Sequence, residues 1–374
     1  MARYVSLSHT FMGGSYVVSS HHISRKLKND GNSILHISDP VSILKTLISQ
    51  DKEAKLKWFF RGKNFSPREH VLQWVPRSII PLSFWRFKIF FPFILIDLIR
   101  ISIAINSFKP DFILIDHRYY SPILNLLSKK IHVIYRPTDL AKNRYEEKCE
   151  KQILRHVDGV IATHPEIMAR IETSVSKIIL ENGFDRQHFR VPNKTSNIRS
   201  GAIYVGSMDS RFDWDAVLNI AKIIYPHNVV IYGSGKVISN LPDNIQVHEP
   251  ISYELLPKVF SKYKYGLLPL KNVDLNYGRS PMKLWEYLAS DLIVITENSF
   301  AGKFKTRKNM LLYNAENRVQ TWRLFAEKLN SFQLEKIDDN IFIETDWKHI
   351  SDEISRFCHK CLKRPGFNQE STGS

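Results

Sequence analysis

The residues best suited to chemistry cluster around one helix start. In Tyr277-Gly278-Arg279-Ser280-Pro281-Met282-Lys283-Leu284-Trp285-Glu286, Ser280 and Pro281 read as the beginning of a helix, because proline fixes φ and a first turn needs no intrahelical N–H from it. The free N–H groups and positive dipole end of such a helix attract a phosphate. Lys283, in the same turn, adds a point charge suited to a diphosphate. Glu286 lies three residues further along the same face, where its carboxylate could accept from ribose hydroxyls. The plainer reading of Lys283 and Glu286 is an ion pair on the helix surface, and the sequence allows both.

Other constellations say less. Ile231-Tyr232-Gly233-Ser234-Gly235 lacks the third glycine of a dinucleotide fingerprint. It reads as a tight turn, structural or beside phosphates. Gly13-Gly14 follows the first strand candidate and reads as a strand-to-helix turn. Cys358-His359-Lys360-Cys361 has zinc-like spacing but no second pair to complete four ligands, and no Asp-x-Asp suggests a bound divalent ion. His21-His22 sits in a helical pattern without a carboxylate partner and reads as packing or surface.

The elements that must position these residues alternate. Strand candidates fall at 4–8, 33–37, 111–116, 132–135, 160–162 and 177–180, with helical patterns between them at 15–28, 122–128, 145–156 and 165–174. A polar stretch over 190–200 interrupts the pattern, which resumes with strands at 202–205, 229–232, 245–247, 265–268, 292–296 and 310–312. Helices are expected there at 214–224, 253–262, 281–290, 319–331 and 347–362. Such alternation predicts parallel sheets with crossover helices, in an α/β class of two doubly wound, Rossmann-like domains facing across a cleft. We divide the chain into residues 1–190, residues 200–345, and a last helix with a polar tail, 346–374, that crosses back to the first domain. Ligands of such sheets bind outside the carboxyl ends of the strands, so the loops after strands carry the interest.

A chain of 374 residues is long enough for two cores. Its 43% hydrophobic content with 24% charged residues excludes a disordered or fibrous protein. Three cysteines make no disulfide framework and suggest a reducing compartment. The 53 Lys and Arg against 37 Asp and Glu leave a net charge of +16, of which +12 lies before residue 191 and +8 between residues 52 and 109. That window also holds Trp58, Phe59, Phe60, Trp74, Trp85, Phe91 and Phe93, among other aromatic residues. Interleaved cations and rings suit an anionic membrane surface. Single-stranded nucleic acid could read the same features, but the charge lies away from the expected phosphate site and argues against it. The apolar stretch over 79–108 is interrupted by Arg86, Lys88, Asp97 and Arg100, and its longest uncharged run is eight residues, so a spanning helix is not expected. Pro92 should kink it.

Ser280-Pro281-Met282-Lys283-Leu284-Trp285-Glu286-Tyr287-Leu288-Ala289 resembles the donor-binding helix of GT-B glycosyltransferases. Val205-Gly206-Ser207-Met208-Asp209-Ser210-Arg211 resembles the loop that opens their C-terminal domain, and Glu181-Asn182-Gly183-Phe184-Asp185 the turn that ends their N-terminal domain. Many retaining members carry a Glu-x7-Glu pair, and here Gly278 stands where the first carboxylate would be. The closer resemblance is to inverting enzymes of the xanthan glucuronosyltransferase type, with Met282-Lys283 matching their helix pair and Met208 a residue that packs on uracil.

The resemblance implies a UDP-sugar donor, with glucuronate as one candidate sugar, and a polyprenyl-diphosphate-linked saccharide acceptor. It implies donor contacts from Gly206, Met208, Arg211, Tyr232, Gly233, Glu249, Arg279, Ser280, Met282, Lys283 and Glu286, with Gly13, Gly14 and His117 on the acceptor side. Asp139, in the loop after strand 132–135, is the expected general base by placement, and Asp116 its rival. Either aspartate could instead be a helix cap. No metal or other cofactor is expected, since Lys283 and the helix dipole would neutralise the leaving diphosphate. The expected location is the cytoplasmic face of the plasma membrane. A retaining transferase and a non-catalytic basic binding module are the alternatives.

Overall fold

Two mainly parallel sheets, each wound outward in both directions from its first strand, organise the chain. The computed structural model describes residues 1–14, 16–42, 46, 63–65, 71–189, 199–301, 304–314 and 320–362. Much of the expected basic membrane stretch (52–62 and 66–70), the expected linker (190–198) and the polar tail (363–374) lie outside the described residues.

The first sheet has eight strands, in the order Ser176–Ile179, Gly159–Ala162, His132–Tyr135, Phe112–Ile115, Arg3–Ser8, Ser33–Ser38, Leu72–Trp74, Lys63–Phe65. All neighbours are parallel except the last pair. The second has six parallel strands, in the order Ile245–His248, Val229–Tyr232, Ala202–Val205, Tyr265–Leu268, Ile293–Glu297, Met310–Tyr313. Central strands are buried on both faces, as in Phe112–Ile115 and Tyr265–Leu268, because helices cover both sides. The edge strand Ser176–Ile179 alternates between half-buried and exposed residues. Leu72–Trp74 and Lys63–Phe65 escape a reading by hydrophobic runs, being three residues long and interrupted by Gln73 and Asn64.

Two helices differ from expectation through proline. In place of the helix expected at 122–128 stands a 3-10 helix, Arg118–Leu126, with Pro122 inside it and unable to donate the hydrogen bond an α-helix needs. Pro92 does not kink the apolar helix but lies in the first turn of Phe91–Phe108, preceded by the short turns Leu82–Arg86 and Lys88–Phe90. By length and composition, Lys88–Phe108 is apolar enough to cross a bilayer, contrary to the expectation from its uncharged run. Asp97 and Arg100 pair at 3.3 Å one turn apart, so the two charges offset each other. One face of this helix, with Ile94, Leu98, Ile101 and Ile105, is built into the first core. The other exposes Phe93, Ile96 and Ile103 to 55%, 58% and 59%.

The last helix, Trp347–Leu362, packs on the first domain. Phe357, Cys358 and Cys361 join a cluster with Tyr4, Ile23 and Ile161, and Lys348 Nζ lies 3.2 Å from Asp30. Burial among apolar groups pushes the Cys358 thiol up, so the cysteine pair serves packing. His22 stacks on Trp347 with ring centroids 5.2 Å apart. The second domain is thus an insertion in the first, and the two chain segments that cross between them run side by side. The Phe184 N–H donates to the Thr345 carbonyl and the Trp347 N–H to the Phe184 carbonyl, both at 3.0 Å. A Cβ at Gly183 would lie 2.2 Å from the Thr345 oxygen, so this close approach requires glycine.

Candidate functional site

Both sheets turn the loops at their strand carboxyl ends toward one cleft of about 690 Å³ between the domains. Open α/β sheets bind ligands at the point where strand order reverses. Here that point falls between Arg3–Ser8 and Phe112–Ile115 on one side, and between Ala202–Val205 and Tyr265–Leu268 on the other.

The second domain contributes the start of the Met282–Ala289 helix. Pro281 is its N-cap in extended conformation with no side-chain cap, so Met282 and Lys283 begin it at the cleft wall. Ser280 does not cap this helix. Its hydroxyl accepts from the Asn182 N–H at 2.8 Å, and its carbonyl accepts from Asn182 Nδ2 at 2.9 Å. Lys283 Nζ lies 2.5 Å from Glu286 Oε2. Glu286 is 1% exposed and absent from the cleft wall, so its carboxylate fixes Lys283 where a ribose contact was expected.

Arg279 and Arg211 line the same wall. Arg211 grips Asp209 through Nε and Nη2, with Nη2 2.6 Å from Oδ2. Hydrogen bonding and the guanidinium charge hold Asp209 low against the opposing effect of burial.

Gly206 and Tyr232 are in the wall, whereas Met208, Gly233 and Glu249 are not. Met208 was expected beside a nucleobase. It is 3% exposed in the apolar cluster of Tyr204 and Phe212, because its N–H donates to the Ser234 carbonyl at 2.8 Å and draws the thioether into the core. Gly233 sits beneath Gly206 and donates to the His248 carbonyl at 3.0 Å. Glu249 is exposed outside the cleft, and Pro250, Ile251 and Tyr253 line it instead. Tyr204, which the sequence reading passed over, lines it with its hydroxyl donating to the Ser207 carbonyl at 2.9 Å.

The first domain supplies Asp116, His117 and Asp139. Asp116 is buried and pairs with Arg136 Nη1 at 3.0 Å. Burial pushes its carboxyl up, and the Arg136 charge only partly opposes this. Arg136, 1% exposed, also donates to Ser19 Oγ at 3.1 Å and Asn182 Oδ1 at 2.8 Å. A buried chain therefore runs Asp116–Arg136–Asn182–Ser280, from one cleft wall to the other. No spacing rule exposes it, because its members lie in four separate segments.

Asp139 keeps 41% of its side chain exposed and reaches Arg211 Nη1 across the cleft at 3.8 Å. Its carboxylate is thus available to a ligand in a way that of Asp116 is not. His117 lies 3.8 Å from Asp39 and packs edge-on against Tyr119. Gly13, with φ of 84°, and Gly14 shape the turn but stay out of the wall, which Tyr16 enters instead. The Tyr16 hydroxyl contacts Ser234 Oγ of the other domain. Arg118, Tyr119, Lys142 and Glu146 also line the cleft. Their one sequence signal was position, in or after the loops that follow two central strands.

The domains touch closely at Gly278. A Cβ there would lie 2.7 Å from Leu140 Cγ and 3.0 Å from Ile167 Cγ1, both of the first domain. The absent carboxylate at this position therefore coincides with a site that has no room for one.

No known protein family and no curated protein sequence matches the chain. Solved structures do. The sucrose-phosphate synthase of Thermosynechococcus elongatus aligns over 96% of this chain and 99% of its own, with a TM-score of 0.69 and 13% identity. Anabaena HepE, in complex with UDP and glucose, aligns over 96% and 100%, with a TM-score of 0.67 and 11% identity. A glycosyltransferase from Rickettsia africae aligns over 97% and 99%, with a TM-score of 0.65 and 13% identity. Two Rossmann-like domains closing on one cleft, matched over nearly the whole length of these proteins, give this chain the GT-B fold of glycosyltransferases.

Proposed function

We propose that the protein is a glycosyltransferase that moves a sugar from a UDP-sugar to a lipid-linked saccharide. The observation that carries this reading is the opposition of two walls in one cleft of a GT-B fold. One wall holds the helix start with Lys283, Arg279 and Arg211, and the other holds Asp139. The first suits a nucleoside diphosphate and the second the deprotonation of an incoming hydroxyl.

In this reading the UDP-sugar lies against the second domain with its diphosphate at the Met282 and Lys283 N–H groups. Asp139 takes the proton from the acceptor hydroxyl, whose oxygen attacks the anomeric carbon on the face opposite the departing UDP and inverts its configuration. The negative charge gathering on the leaving diphosphate is met by Lys283, Arg279 and the helix dipole, without a metal ion. Gly278, where retaining members carry a first carboxylate, fits the inverting course. Arg211 and Arg279 suit a carboxylated sugar such as glucuronate. The HepE structure with UDP and glucose, and an Escherichia coli structure bound with UDP-2-fluoro glucose, support a UDP-linked donor.

The acceptor side of the reading rests on the helix Phe91–Phe108. Its exposed isoleucines and phenylalanines, bordered by Arg86, Lys88 and Arg100, suit an anionic membrane surface. We therefore place the protein on the cytoplasmic face of the plasma membrane, in the synthesis of a surface polysaccharide. Purified protein incubated with membranes and a panel of UDP-sugars tests the proposal. It should release UDP from one donor and give a product of inverted anomeric configuration. No UDP release with any donor overturns it.

A further inference from the structure

An unbroken series of ring contacts leads from the cleft to the exposed apolar helix. His117 meets Tyr119 at 5.0 Å between centroids, Tyr119 meets Tyr145 at 5.9 Å, and Tyr145 meets Trp85 at 5.3 Å. Trp85 belongs to the turn Leu82–Arg86 that precedes the exposed Phe91–Phe108 helix. His117 and Tyr119 line the cleft, while Tyr145 and Trp85 carry the series outside it.

Polar groups border the rings and are held in place. The Tyr119 hydroxyl donates to Glu146 Oε1 at 3.2 Å, and the Lys142 N–H donates to Glu146 Oε2 at 2.9 Å. The indole N–H of Trp85 is buried with no acceptor among the described residues. Rigid aromatic faces with fixed hydrogen-bonding groups at their edges suit the apolar C–H faces and hydroxyls of pyranose rings.

We propose that Tyr119, Tyr145 and Trp85 form a sugar-binding ledge for the acceptor, which holds its saccharide between the cleft and the membrane surface. The proposal rests on the lipid-linked acceptor reading above and adds its saccharide subsite. The carrier lipid would lie at the exposed face of the helix, and the sugars would bridge to Asp139.

Vesicles containing farnesyl diphosphate linked to glucose, galactose or N-acetylglucosamine test this, with bare farnesyl diphosphate as reference. The wild-type protein should bind one of the sugar-bearing lipids about tenfold more tightly than the bare carrier. Tyr145→Ala and Trp85→Ala should each lose most of that difference, Tyr145→Phe should keep it, and all variants should bind UDP equally. If no sugar-bearing lipid binds more tightly than the bare carrier, or if both alanine variants retain the preference, the ledge is overturned. Absence of UDP binding by the wild type would strike at the donor reading alone.

Discussion

Asn182 and Ser280 bond twice across the domain boundary, the Asn182 N–H to the Ser280 hydroxyl at 2.8 Å and the Asn182 amide to the Ser280 carbonyl at 2.9 Å. The turn ending the first domain thus fixes the residue before the helix start of the second. Asn182→Ala removes the amide and leaves Arg136 short of one acceptor. It should lower stability by about 1–3 kcal/mol in denaturant unfolding and weaken UDP binding, measured by calorimetry.

The two candidate bases separate by their partners. Asp139→Asn, on a half-open carboxylate, should lower transfer by roughly 100- to 10,000-fold in a UDP-release assay while melting temperature and UDP affinity change little. Asp116→Asn leaves the Arg136 charge buried without its counterion and should cost about 3–5 kcal/mol of stability. Full transfer by the Asp139 variant would assign the proton elsewhere.

Gly278 packs directly against the first domain. Gly278→Ala meets Leu140 at 2.7 Å and should destabilise the closed arrangement by about 1–3 kcal/mol, because the neighbour is a branched side chain at the domain boundary. Gly278→Glu should be worse and should not produce a retaining enzyme. Small-angle scattering would show the wider cleft.

Glu181 gives the fold a pH dependence at the same boundary. Burial raises its carboxyl to about 7, with Lys305 only partly opposing. Below the unfolded value near 4.5 the group is protonated in both states and costs nothing. As pH rises toward 7 the unfolded chain loses its proton first, so stability falls and the loss is complete above the folded value. Glu181→Gln should therefore match the wild type near pH 4 and exceed it at pH 8 by an amount on the order of 2 kcal/mol, read from thermal melts.

Membrane association should depend on the exposed side of one helix. Ile96→Glu with Ile103→Glu places charges on residues 58% and 59% exposed, so folding should survive. Sedimentation with anionic vesicles should fall sharply, and raised salt should release the wild type while UDP affinity stays nearly constant. Unchanged sedimentation would remove this face from the membrane reading.

The alternation of strands and helices was legible because parallel strands covered on both faces are short continuous apolar runs, as in Phe112–Ile115 and Val229–Tyr232. The helix start at Pro281 was legible for the local reason that proline and lysine act within one turn. What could not be read was everything made by two segments together. Ser280 looks like a cap until Asn182 claims it. Met208 looks like a ligand contact until its backbone ties it to Ser234. Arg136, which bonds Ser19, Asp116 and Asn182, has no motif at all. The strand Leu72–Trp74 was missed because the sheet, and not its own composition, makes it a strand.

The two chain segments that join the domains lie against each other at Gly183 and Thr345, bonded through Phe184. A domain tethered by a single segment can swivel, whereas two segments bonded to each other restrain it. Across the cleft itself, Tyr16–Ser234 and Asp139–Arg211 are catches between the two domains, made by side chains and not by the chain's own crossing. A ligand that bridges those catches would therefore bear directly on how the two domains stand to each other.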